Sequence, residues 1–318
     1  MDRNATDLLA RLGAGGARAR EEALAPGLIR LRVASRASQR LGFPVHAYLL
    51  DGLLIDTGFA HARSALLQAL AGRELTGIAL THHHEDHAGA AAALAERHGC
   101  PVYLRGPGER WSEGVGELPR YRRLFWGWVD PYEPVEMPAV LSTGARSLRS
   151  VPTGGHSCTH TAFFEPVHGL LFTGDLLVSR GASAVMRHED PYESLASLRA
   201  VAALGARRIL PAHGDSIDDP QAALGRKIEH LEAAIRQVSD LHERGLGVAA
   251  IRRRVFPRGA WTDRGGALMT EGEFSRAAFV RAVIARRGAY QSPEAATPAA
   301  PTVGSSVTRS AENPPSFQ

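Results

Sequence analysis

THHHEDHAGA, residues 81–90, sets four histidines and two acids in the six positions between Thr81 and Ala88. It follows the apolar run GIAL and leads into AGAAAALAERHG, a helical pattern closed by Gly99, so the polar cluster occupies a loop between a strand and a helix. Strand ends in α/β sheets collect functional side chains because the rigid sheet fixes the base of the loop. In extended backbone, side chains two apart share a side, so His82 and His84 can converge on one cation while Asp86 and His87 turn toward a second. His83 and Glu85 then point away, as spacers whose loss should be tolerated. A solvated polar loop has the same composition, and further ligands at other strand ends decide between the two.

Three other strand-to-loop junctions carry such ligands. TGGHSCTHTAFF (153–164) places His156 after a Gly-Gly turn, LLFTGDLL (170–177) ends an apolar run at Asp175, and ILPAHGD (209–215) ends another at His213. With these in place the chain resembles the metallo-β-lactamase fold superfamily over residues 28–219. The H-x-H-x-D-H signature is His82, His84, Asp86 and His87, followed in order by His156, Asp175 and His213, and LLIDTG (53–58) resembles the first motif. The resemblance implies an α/β fold, a four-layer αββα sandwich with metals in a groove at one edge of its sheets. It further implies that His82, His84 and His156 hold one metal, that Asp86, His87 and His213 hold another, and that Asp175 bridges them. Asp56 would orient a ligand histidine from behind. Cys158 and Thr159 depart from the family's usual Pro or Ser and Gly after the third-motif histidine, which puts the local turn in question. His160 matches a position where relatives often carry a second histidine, and is a candidate to line the site.

Neutral imidazoles and carboxylates suit two divalent ions, with zinc the best match and iron or manganese also compatible. Two such ions roughly 3.5–4 Å apart make hydroxide available at neutral pH, so hydrolysis is the expected chemistry, with Asp86 metal-bound and orienting the nucleophile. A glyoxalase II-like ester or thioester hydrolase of a small acyl substrate is favoured. A lactamase-like endoribonuclease or phosphodiesterase is the alternative, together with a mono-iron oxidoreductase of the persulfide-dioxygenase type. Nucleic acid is a possible but unfavoured partner, supported by RRRVFPRG (252–259). The oligomeric state is open, a dimer included.

Composition limits the alternatives. Lys227 is the only lysine, which excludes a P-loop or Schiff-base lysine anywhere else, and two cysteines cannot build a thiolate cage. The opening 20 residues lack the apolar centre of a signal peptide, and no run approaches the roughly 20 apolar residues that span a bilayer, so a cytoplasmic protein without a membrane partner is expected. Residues 1–27 read as an N-terminal extension, 28–219 as the metal-binding domain, 220–288 as a small helical appendage, and the Pro/Ser/Ala-rich 289–318 as a disordered tail. Asp51-Gly52 between AYLL and GLLID predicts a hairpin. WSEGVGELPRYRRLFWGWVDPY (111–132) carries aromatic and basic side chains near the groove. Trp126, Trp128, Arg122 and Arg123 are its candidates for substrate binding, weighed evenly against packing of the same segment onto the core.

Overall fold

The computed structural model describes residues 16–40, 43–106, 119–178, 185–257, 270 and 273–290. Its first sheet lays seven strands side by side in chain order. They are β1 (Arg18–Ala25), β2 (Leu28–Ala34), β3 (Val45–Leu50), β4 (Leu53–Ile55), β5 (Gly77–Ala79), β6 (Val102–Leu104) and β7 (Pro134–Glu136). Pairing is antiparallel from β1 to β4 and parallel from β4 to β7. The second sheet is β8 (Val140–Ser142), β9 (Ser147–Pro152), β10 (Thr161–Glu165), β11 (Leu170–Gly174) and β12 (Arg208–Pro211), antiparallel except for the β11–β12 pair. The β3–β4 hairpin turns at Asp51 (φ 45°) and Gly52 (φ 91°), the two left-handed positions that a type I′ turn demands.

The helices are α1 (Arg36–Arg40), α2 (Arg63–Ala69), α3 (Glu85–Ala88), α4 (Ala91–His98), α5 (Arg120–Trp126), α6 (Pro191–Ala202), α7 (Pro220–Glu243), α8 (Val248–Val255) and α9 (Arg276–Tyr290). Layering follows from the period of two along fully buried strands. In β3, Tyr48 and Leu50 point between the sheets, where they meet Phe163, Phe172 and Leu210, while Ala47 and Leu49 face the other way, toward Leu66, Leu94 and Trp126 of the first helical layer. The far face of the second sheet supplies Phe164, Leu171 and Ile209 to a third core. Three apolar cores between four layers make the αββα sandwich.

The first and last regions both contribute elements that pack with the two sheets. β1 lies within residues 1–27, yet it pairs with β2 along its length. Its side chains are mostly exposed, so no apolar alternation marked it in the sequence. The described helices of the region 220–288 pack as a layer against the second sheet. Leu224, Leu231, Ile235 and Val238 of α7, Ile251 of α8, and Phe279, Val280 and Val283 of α9 share one core with Leu195 and Leu198 of α6 and with the sheet. The 3.6-residue period showed an apolar stripe on α7 and could not show which surface it covers. Among the described residues, no helix is long and apolar enough to cross a membrane.

Candidate metal centre

Each donor sits just beyond a strand. His82 and His84 follow β5, and α3 carries Asp86 and His87 around a single helical turn. His156 lies in the loop between β9 and β10, Asp175 directly follows β11, and His213 follows β12. Small residues allow this crowding. A Cβ on Gly89 would come within 2.4 Å of the Ala60 backbone nitrogen, and one on Gly174 (φ 49°) within 2.8 Å of the His160 ring.

The seven side chains converge in overlapping groups: His82, His84 and His156 form one, Asp86, His87 and His213 another, and Asp175 groups with His82 and His87. His84 Nδ1 lies 2.9 Å from His82 Nε2 and 3.0 Å from His156 Nε2. On the other side, Asp175 Oδ1 is 3.2 Å from His87 Nε2 and 3.3 Å from His213 Nε2, and Asp86 Oδ2 is also 3.3 Å from His213 Nε2. The second oxygen of Asp175 faces the first cluster, 3.5 Å from His156 Nε2. Despite these short separations, His87 Nε2, His213 Nε2 and Asp175 Oδ1 are buried without a hydrogen-bond partner among the described residues. A buried polar atom left so costs about 1–3 kcal/mol. Three of them within one cluster of imidazoles and carboxylates are what a cation would satisfy, so this donor set fits metal ions.

Contacts behind the donors fix which nitrogen faces inward. His87 Nδ1 donates to Asp56 Oδ2 (2.8 Å), His213 Nδ1 donates to the Pro44 carbonyl (3.0 Å), and His156 Nδ1 pairs with Glu189 Oε1 (3.1 Å). Each leaves Nε2 for the centre, whereas His84 presents Nδ1. Asp56 is 2 % exposed and held at φ 58°, a conformation few non-glycine residues adopt. It also accepts from the Thr81 backbone (2.7 Å) and hydroxyl (3.0 Å), tying the first-motif loop to the histidine loop. Burial, then the facing imidazoles of His87 and His84, pushes His82 well below the ordinary histidine pKa, toward the neutral form that ligates. Burial alone would also depress His87, but Asp175, Asp86 and Asp56 outweigh it and hold the ring well above. The Phe43 ring stacks on His213 with centroids 4.4 Å apart.

Other candidates stand elsewhere. His160 is fully buried, with Nδ1 against the Thr153 hydroxyl (2.8 Å) and Nε2 accepting from the Asp175 backbone N–H (3.1 Å). Both nitrogens are engaged, so it supports Asp175 from beneath and offers nothing to a substrate. Arg122 is likewise withdrawn: its guanidinium grips both oxygens of Glu85, with Nη2 at 2.7 Å from Oε2. Glu85 is therefore no spacer. It is 1 % exposed and forms a buried ion pair, and the sequence missed this because the partner lies on another helix. His83 is partly buried, with Nδ1 2.8 Å from the Thr159 hydroxyl. Thr159, one of the two family departures, thus anchors the histidine loop, and Arg105 holds the carbonyl of the exposed Cys158.

Trp126 packs between Phe59 and Phe125, at 5.0 and 4.8 Å between centroids, in the first core. Trp128 is 36 % exposed beneath the Arg123 guanidinium, 4.9 Å from the ring centre. Trp126→Ala is accordingly expected to lose about 3–5 kcal/mol of stability, and Trp128→Ala no more than about 0.5 kcal/mol, by urea unfolding; equal losses would refute the division. Trp111 and the residues through 118 lie outside the described residues. Glu189, Pro44, Phe43 and Thr81 are site residues that the sequence reading missed. Glu189 alone had a nearby signal, the Asp190-Pro191 helix start that follows it.

Residues 40–213 match the family profile described as the metallo-beta-lactamase superfamily. Among curated proteins, an atrochrysone carboxyl ACP thioesterase of Aspergillus fumigatus is 31 % identical over 193 residues, 59 % of this chain and 55 % of that protein. A hydroxyacylglutathione hydrolase of Albidiferax ferrireducens is 33 % identical over 172 residues, 51 % and 57 % of the two chains. The chain thus spans about half the length of the curated relatives it matches. A metallo-beta-lactamase family protein of Thermus thermophilus shares the fold with a TM-score of 0.62 at 24 % identity, over 84 % of this chain and 95 % of that one.

Proposed function

Because the chain belongs to the metallo-beta-lactamase superfamily, we propose that it is a hydrolase of small thioesters or esters that works with two divalent metal ions, zinc suiting the donors best. One observation carries the reading: two imidazole clusters share Asp175, whose oxygens face opposite ways, and inward atoms on three of the donors are buried without partners. In this reading His82, His84 and His156 hold one ion, Asp86, His87 and His213 the other, and Asp175 both. Ions so held lower the pKa of water toward neutrality and polarise an acyl oxygen.

The chain's own residues do the rest. Asp56, the Pro44 carbonyl and Glu189 set the directions of the His87, His213 and His156 rings, which fixes these donors before substrate arrives. Phe43, 39 % exposed and stacked on His213, gives an acyl chain an apolar wall beside them. A carbon–sulfur acyl bond is favoured because the relatives include an ACP thioesterase and a hydroxyacylglutathione hydrolase.

The test is a panel of thioester, ester, lactone and RNA substrates offered to one metal-loaded preparation. Thioester or ester turnover that disappears with a chelator and returns with zinc is the expected result. Cleavage of RNA with no acyl turnover would overturn the reading.

A further inference from the structure

The segment 273–275 lies far along the chain from every donor, yet through Arg122 and through residues 185–190 it is linked to two of the loops that carry them. Glu273 Oε1 accepts from Arg122 Nη1 (3.3 Å) and Oε2 from the Tyr121 hydroxyl (2.6 Å), while the rest of the Arg122 guanidinium holds Glu85, between His84 and Asp86. Two residues on, Ser275 exchanges backbone hydrogen bonds with Val185, at 3.1 and 3.4 Å. Val185 begins the stretch that carries Glu189, against His156, and Asp190, whose N–H donates to the Gly155 carbonyl (2.8 Å) and whose carboxylate meets Arg286 (3.1 Å). Met186 of that stretch lies 3.5 Å from Arg122, so the two branches meet. Behind segment 273–275, α9 is pinned in the third core by Phe279, Val280 and Val283, which gives the contacts a rigid base.

We propose that Glu273 is a positioning residue of the metal centre, acting through Arg122 and Glu85 on His84 and Asp86, and that segment 273–275 is the strap by which the C-terminal helical layer sets the donor loops. The inference rests on the metal-binding reading above. A buried ion pair does not earn its place by stability alone, because apolar side chains of similar volume serve as well. What this network adds is a fixed connection: one guanidinium joins Glu85, flanked by His84 and Asp86, to the segment that leads into a helix built on a separate core. Outer contacts of this kind control metal affinity through ligand orientation.

Cobalt(II) is the probe, bound to the full chain, with affinity read by titration, ligand geometry by the visible absorption band, and stability by thermal melting. Glu273→Gln is expected to weaken cobalt binding about tenfold and to shift the band, with Glu273→Asp recovering part of both. Tyr121→Phe should move both in the same direction by less. Glu232→Gln, which removes a solvent-facing ion pair with Arg199 on the same layer, should leave both as in the wild type. A Glu273→Gln protein that melts lower but keeps wild-type affinity and spectrum overturns the inference. If that variant does not fold, an unchanged Tyr121→Phe overturns it, and a shifted one supports it. Wild-type protein that takes up no cobalt overturns the metal reading and this inference together, whereas normal wild-type uptake with unaltered variants overturns the inference alone.

Discussion

Asp175→Ala is expected to abolish measurable hydrolysis and to leave the protein folded with fewer than two metals per chain. The residue faces both donor clusters, Oδ1 toward His87 and His213 and Oδ2 toward His156, so its removal strips a donor from each. A metal position supplies several kcal/mol of charge stabilisation in the transition state. At about 1.4 kcal/mol per decade, this corresponds to roughly 10³-fold in rate or more. Folding should survive, since Asp175 follows a strand whose register is set by pairing with β10 and β12, and the small side chain leaves His160 able to accept from the backbone N–H. Elemental analysis and a thioester assay on the same preparation check both halves. Full activity with two metals retained would show that Asp175 bridges nothing.

Glu85→Ala is expected to cost the folded state about 3–5 kcal/mol, toward the lower end because Arg122 keeps Glu273 as a partly buried second partner. The loss arises from what remains: Arg122 has 9 % of its side chain exposed and would keep a full charge with its main partner gone. Removing both charges should cost far less than removing one. The Glu85→Gln/Arg122→Met double variant is therefore expected to recover a large part of the stability in urea unfolding, and a double variant as unstable as the two single losses added together would contradict this account.

The contrast between Asp175 and Glu85 shows what was legible in the chain. Every donor but His156 lies at or just beyond the end of an apolar run, and the identity of those runs as strands fixes where these donors lie, while a Gly-Gly turn marks His156. A local signal was thus enough for His82, His84, Asp86, His87, His156, Asp175 and His213 to meet. The Asp51-Gly52 turn was legible for the same reason, its backbone demand being written in two adjacent residues. Glu85 was misread because its role depends on Arg122, 37 positions away on another helix, and no periodicity encodes such a pairing. His160 and Trp126 each had a packing reading beside the substrate one, and both side chains are buried. The C-terminal helices showed their apolar stripes plainly, but a stripe names no partner surface until the sheet is in place.

The contacts behind the imidazoles carry one more consequence, that of charge balance. Asp86 and Asp175 bring two negative charges to the donors, and Asp56 and Glu189 bring two more directly behind His87 and His156. Two dications match these four charges, while a single dication leaves half of them unopposed in surroundings where unopposed charge is expensive. On the two-metal reading proposed above, Asp56 and Glu189, which aim two of the rings, would therefore also supply half of the carboxylate charge that the ions meet.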